Sequence, residues 1–138
     1  MALTTTLDLF ASDVLLGGVQ SSDLGFTKTE ASVTWTADMS LGTLVAVAAD
    51  GTAVAITSSN LSAANGVITD ANAYLNASSY TVGQAYPFVV AQRGCTFNKT
   101  KLLLSGTYTG ANLTTACTAL ASAGMNKITS DYVVQSVS

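Results

Sequence analysis

Apolar positions alternate with polar ones, or gather in short runs, as far as Leu104; a helical stripe emerges only from Leu113 onward. Ala31, Val33 and Trp35 alternate with Glu30, Ser32, Thr34 and Thr36, the period of a half-buried strand. Leu44 to Ala48 and Ala53 to Thr57 flank Asp50-Gly51, which predicts a hairpin. After the Asn65-Gly66 turn, Val67-Ile68 reads as a short extended piece and Ala71 to Leu75 as one helical turn. Ala85, Phe88, Val89, Val90 and Ala91 form an apolar run between Gly83 and Gly94, expected as a strand buried on both faces. Pro87 lacks an N–H, so pairing is expected to start near Phe88. Thr96 to Lys99 reads as a link, Lys101 to Leu104 as a strand, and Tyr132, Val133, Val134 and Val137 as a final strand or tail.

Leu113, Ala116, Cys117, Leu120 and Ala121 share one face of a helix. Asn112 is the expected N-cap and Gly124 the expected left-handed C-cap. About three turns are marginal alone in water, so this helix needs a sheet to lie on. Trp35, Val89 and Leu120 are expected to share one core, with Tyr74 and Tyr80 covering its edges. The whole reads as mainly β with one or two short helices.

Residues 1–25 behave differently. Leu3, Leu7, Leu9, Phe10, Val14, Leu15 and Leu16 follow neither period, and Gly17-Gly18, Ser21-Ser22 and Asp23 break the segment. Two readings stand: a first strand packed on the domain's own core, or an arm that orders on a partner. The organisation expected is an arm over 1–25 and one β-rich domain over 26–138.

Composition narrows the classes. A chain of 138 residues is long enough for one well-buried domain. Only 9% of it is charged, against roughly 25% in typical soluble proteins. No apolar run approaches the ~20 residues of a spanning helix, so no membrane partner is expected. The start MALTTTLDLF shows no basic region followed by an apolar one, so the mature chain is expected to begin at or beside Met1, in the cytosol. Five basic residues placed singly in a net charge of −3 argue against a nucleic-acid surface. A Thr/Ser-covered, weakly charged surface suits contact with another protein.

Chemistry is hard to place on this chain. Without histidine there is no Ser-His or Cys-His pair, and Cys95 and Cys117 lack metal-ligand spacing. Cys117 lies on the helix's apolar stripe as a small hydrophobe; Cys95 follows Arg93-Gly94, where a cation can lower a thiol pKa, yet no base accompanies it. The carboxylates are dispersed, mostly at turns. Asn60, Asn76, Asn98 and Asn112 open N-x-Ser/Thr triplets of the kind a Ser/Thr-rich chain produces by chance. No enzyme activity, cofactor, metal or small-molecule substrate is expected.

The order of parts resembles the head decoration proteins of tailed bacteriophages, the family typified by the lambda decoration protein. The matching pieces are the irregular N-terminal segment, Gly42-Thr43-Leu44-Val45, Asp50-Gly51, Ala85 to Gly94, Lys101 to Leu104, and Leu120-Ala121-Ser122-Ala123-Gly124-Met125. The resemblance implies a small β-sandwich or barrel-like domain, made in the host cytoplasm, that sits as a homotrimer on the outer surface of the expanded head. There it would clamp neighbouring copies of the major capsid protein, with Leu3, Leu7, Leu9, Phe10, Val14, Leu15 and Leu16 as the contacting arm. The competing class is a secreted or surface-displayed β-domain, adhesin-like, pilin-like or carbohydrate-binding. A disulfide between Cys95 and Cys117 would favour it, whereas cytosolic assembly requires both thiols reduced.

Overall fold

The structure, a computed structural model, describes residues 14–18 and 28–129. Five strands close into a barrel in the order β2-β4-β3-β5-β6: β2 (Lys28–Thr34), β3 (Leu44–Val47), β4 (Thr52–Ala55), β5 (Gly66–Ile68) and β6 (Ala85–Ala91). All neighbours run antiparallel except β2 and β4, which are parallel. A second sheet lies outside the barrel, ordered β1-β7-β8: β1 (Leu15–Gly18), β7 (Cys95–Asn98) and β8 (Lys127–Thr129). Among the described residues, two α-helices accompany them, the single turn α1 (Asn72–Leu75) and the long α2 (Gly110–Gly124).

Alternation along the strands divides the core in two. Val45, Ile68, Phe88 and Val90 point into the barrel with Ala31, Val33 and Trp35. Their strand neighbours Leu44, Val67 and Ala91 point outward and meet Phe97, Val14 and the helix residues Ala116, Cys117 and Leu120. The single core expected for Trp35, Val89 and Leu120 is therefore two. Trp35 belongs to the barrel and Leu120 to the layer outside it, while Val89 is half-buried and in neither cluster. Trp35 fills its end of the barrel against Tyr80 and Phe88, with ring centroids 4.8 and 5.7 Å away. Leu120 is fully buried, so Leu120→Ala should cost ~2–5 kcal/mol through the cavity it opens. A urea-unfolding change below about half a kcal/mol would show that this layer collapses freely around the gap.

Several boundaries differ from expectation for local reasons. Pro87 is inside β6, opposite Ser32. The Ser32 N–H is directed to the Gly51 carbonyl in the turn before β4, so this is a position where β2 and β6 exchange no hydrogen bond and a missing N–H is tolerated. Cys95 to Asn98 is a strand rather than a link, with Cys95 and Phe97 buried and Thr96 between them half-exposed. Lys101 to Leu104 forms no strand. The chain makes a 3-10 turn at Lys99–Lys101, then touches Thr43 through an isolated bridge at Leu103. The hairpin, the Val67-Ile68 piece and the helical turn after Ala71 are present as read.

The ends of α2 also change owners. Thr109, not Asn112, is the N-cap: its side chain accepts from the Asn112 N–H while the Asn112 side chain accepts from the Thr109 N–H. Met125 takes the left-handed C-cap position at φ 55°. Gly124 is the last helical residue and is needed for a different reason, since a Cβ there would run into the Gln92 carbonyl oxygen. That close approach lets the Gly94 N–H reach the Gly124 carbonyl at 2.9 Å.

Candidate functional site

The reactive groups come first because they would carry any chemistry. Both cysteines are free and buried. Burial pushes the Cys95 thiol up, and the nearby charge is Lys28, which opposes that rise without reversing it. Cys117 is raised for the same reason, against the opposing charge of Lys99. The cation expected to activate Cys95 is thus present and outweighed, and neither thiol is a thiolate nucleophile at neutral pH. Among the described residues, no group of three or more His, Cys, Asp or Glu side chains is arranged to hold a metal.

An open groove of about 410 Å3 runs beside α2, lined by residues that include Lys99, Thr114, Cys117, Thr118 and Ile128. The Lys99 ammonium donates to Thr114 Oγ1 at 2.8 Å. Among the described residues, its lining has one amine and one thiol but no carboxylate or imidazole, and so no acid–base pair. Asp38 has richer contacts, accepting from Ser105 Oγ and the Gly106 N–H, each at 2.7 Å, and from Thr36 Oγ1 at 3.1 Å. Partial burial raises its pKa, but these donors outweigh that and hold the carboxyl below its usual value. Its work is structural, tying the segment after Trp35 to the turn that precedes α2.

The asparagines that open the chance triplets serve the backbone. Asn60 Oδ1 accepts from the Thr57 N–H at 2.6 Å, Asn98 Oδ1 from the Thr100 N–H at 3.2 Å, and Asn76 donates to Asn72 Oδ1 at 2.7 Å. Asn126 is the polar residue that sequence reasoning missed. It is buried where β6, β7 and α2 converge, with Oδ1 accepting from the Cys95 N–H at 3.0 Å. Its Nδ2 donates to the Gln92 and Leu120 carbonyls, both at 2.9 Å.

The outer sheet brings three distant parts of the chain side by side. β1 runs antiparallel to β7 with Leu15 opposite Phe97, and β8 runs parallel to β7 with Thr129 opposite Asn98. The start of β1 and the finish of β8 therefore lie at the same end of the sheet, beside the Lys99–Lys101 turn. Val14 is fully buried in the outer core layer, and Leu15 is half-buried against it. These two residues belong to the domain's own packing, so the segment read as an arm through residue 25 includes a strand of the sheet. Leu16 lies in that strand too. Leu3, Leu7, Leu9 and Phe10, like the Tyr132 to Val137 stretch, lie outside the described residues.

Among the described residues, no helix is long and apolar enough to cross a membrane. No curated protein and no solved structure matches the chain. One family model does, described as the bacteriophage PhiTE minor capsid decoration protein, and it covers residues 2–138. With a match along nearly its full length, the chain belongs to this family of phage capsid decoration proteins.

Proposed function

We propose that the protein binds the outer surface of the expanded capsid as a homotrimer and clamps neighbouring subunits of the major capsid protein, using its N-terminal segment as the grip. The observation that carries this reading is the seat of Val14 and Leu15 within the family's decoration domain. It fixes the root of the segment, so any load on the apolar residues ahead of it passes directly into the sheet. Burying Leu3, Leu7, Leu9 and Phe10 against a partner could yield ~1.5–3 kcal/mol per side chain. Ordering the backbone costs ~1–2 kcal/mol per residue and offsets most of that. One arm is then weak, and three on a rigid trimer add avidity on the order of 10²–10⁴.

The buried position of Val14 fixes how far a test deletion can go. Removing residues 2–12 spares β1; light scattering should still show a trimer, while sedimentation with expanded heads should lose the protein from the pellet. A truncated protein that decorates heads normally would place the grip elsewhere, and a monomer in both forms would remove the trimer from the mechanism.

A further inference from the structure

Three of the five basic residues bracket β7 in the sequence, and the fold brings Lys127 to the same strand. Arg93 precedes β7, Lys99 and Lys101 follow it, and Lys127 lies opposite Thr96 on β8. Lys28 lies opposite Ala91, where β6 leads into β7, close enough for its charge to act on the Cys95 thiol. The acidic residues among those described lie elsewhere. Glu30 is on β2, Asp50 is in the β3–β4 turn, Asp70 follows β5, and Asp38 is beyond Trp35. Lys28, Arg93, Lys101 and Lys127 are exposed, as are Glu30, Asp38 and Asp50. Among the described residues, Arg93, Lys99, Lys101 and Lys127 thus lie around β7, whereas Glu30, Asp38, Asp50 and Asp70 lie on or beside the barrel strands together with Lys28.

From this arrangement we infer that the β1-β7-β8 sheet and its Lys99–Lys101 turn form the face that meets the capsid, and that it docks on a carboxylate-bearing patch of the shell. The inference rests on the capsid-binding reading above and adds the orientation and the partner's chemistry. Two independent features agree on the face. Chain flanking the described sheet leaves it from Val14 and from Thr129, both beside the Lys99–Lys101 turn, and four of the five basic residues bracket β7 or lie opposite it. With the basic sheet inward, the acidic barrel turns away from an acidic shell, so one charge distribution both attracts the domain and selects which side lands. Exposed charges of this kind act within about a Debye length, ~8–10 Å at ordinary salt, so the effect is local to the contact.

The test compares variants with equal changes in net charge at different places. Lys101→Glu with Lys127→Glu reverses two exposed charges on the sheet. The barrel variant, with Ala49→Glu, Ser59→Glu, Asn72→Glu and Ser78→Glu together, adds acid at four exposed positions outside β7 and β8 and so makes the same total change in net charge. Each protein is first checked for a wild-type unfolding curve and then titrated onto expanded heads from ~50 to 300 mM salt. The sheet variant should bind at least about tenfold more weakly than wild type at low salt and show a flatter salt dependence, while the barrel variant stays within about threefold. Equal weakening of both variants would mean that net charge alone matters and would overturn the orientation. Wild-type affinity retained by the sheet variant would overturn it as well. If the wild-type protein itself ignores heads at every salt concentration, the capsid-binding reading falls first and takes this inference with it.

Discussion

Asn126→Leu should be among the most damaging single substitutions in the protein, costing about 2–5 kcal/mol, because nothing else in the corner can replace its amide. The Cys95 N–H it satisfies is buried at the start of β7, and the Gln92 carbonyl it binds closes the turn from β6. A Leu of similar volume keeps the packing and strands the Cys95 N–H and the Gln92 carbonyl, each worth ~1–3 kcal/mol when left unpaired in the interior. Asn126→Asp makes the argument sharper. It retains an acceptor for Cys95 but points a second oxygen at two carbonyls where the amide donated, so it should be no better tolerated than Leu. Urea unfolding of both variants decides the matter. A loss below about 1 kcal/mol in Asn126→Leu would mean that water enters the corner and takes over the hydrogen bonds.

That corner also shows which parts of the fold can be read in the sequence. The hairpin and the long helix are local: Asp50-Gly51 dictates one, and Leu113 through Ala121 dictates the other. Trp35 sits on a clean alternation and lands in the barrel as the period implies. The failures are tertiary. β7 is too short for its alternation to stand out, and it becomes a strand because β1 and β8 pair with it from distant parts of the chain. Val14 belongs to an apolar cluster of no period, so the choice between a packed strand and a free arm depends on what lies across from it. Gly124 reads as a left-handed cap, and only the Gln92 carbonyl beside it explains why glycine is required. Asn126 has no signal of its own, since its partners lie 34, 31 and 6 residues back in sequence.

The candidate docking face divides in the same way. The lack of histidine is visible in composition and narrows the chemistries the sequence can offer. The sequence places Arg93, Lys99 and Lys101 near one another, but that Lys127 joins them is invisible there, because only the β7–β8 pairing brings it across.

Gly42→Ala is the second substitution expected to be severe, and it bears directly on how the N-terminal strand is held. Gly42 has φ +99°, a conformation that costs an L-residue roughly 1–2 kcal/mol. Its backbone is also engaged on both sides, donating to the Ile68 carbonyl at 2.9 Å and accepting from the Leu103 N–H at 3.0 Å. A Cβ would meet the Lys101 carbonyl oxygen and come within 3.4 Å of Val14 Cγ2. The colliding atom is backbone, so it cannot swing away as a flexible side chain would, and overpacking of this kind adds ~1–3 kcal/mol. Gly51 supplies the control. Its φ is +90°, yet nothing lies within 4 Å of the position a Cβ would take, so Gly51→Ala carries the backbone term alone. Gly42→Ala should therefore lose about 2–5 kcal/mol, exceeding Gly51→Ala by ~1–3 kcal/mol. Because the strain falls between Val14 and Lys101, the variant should also expose the chain near β1 to protease while the hairpin at Gly51 stays protected. Equal losses in the two variants would show that the Gly42–Lys101 approach relaxes at no cost, and that Val14 does not depend on it.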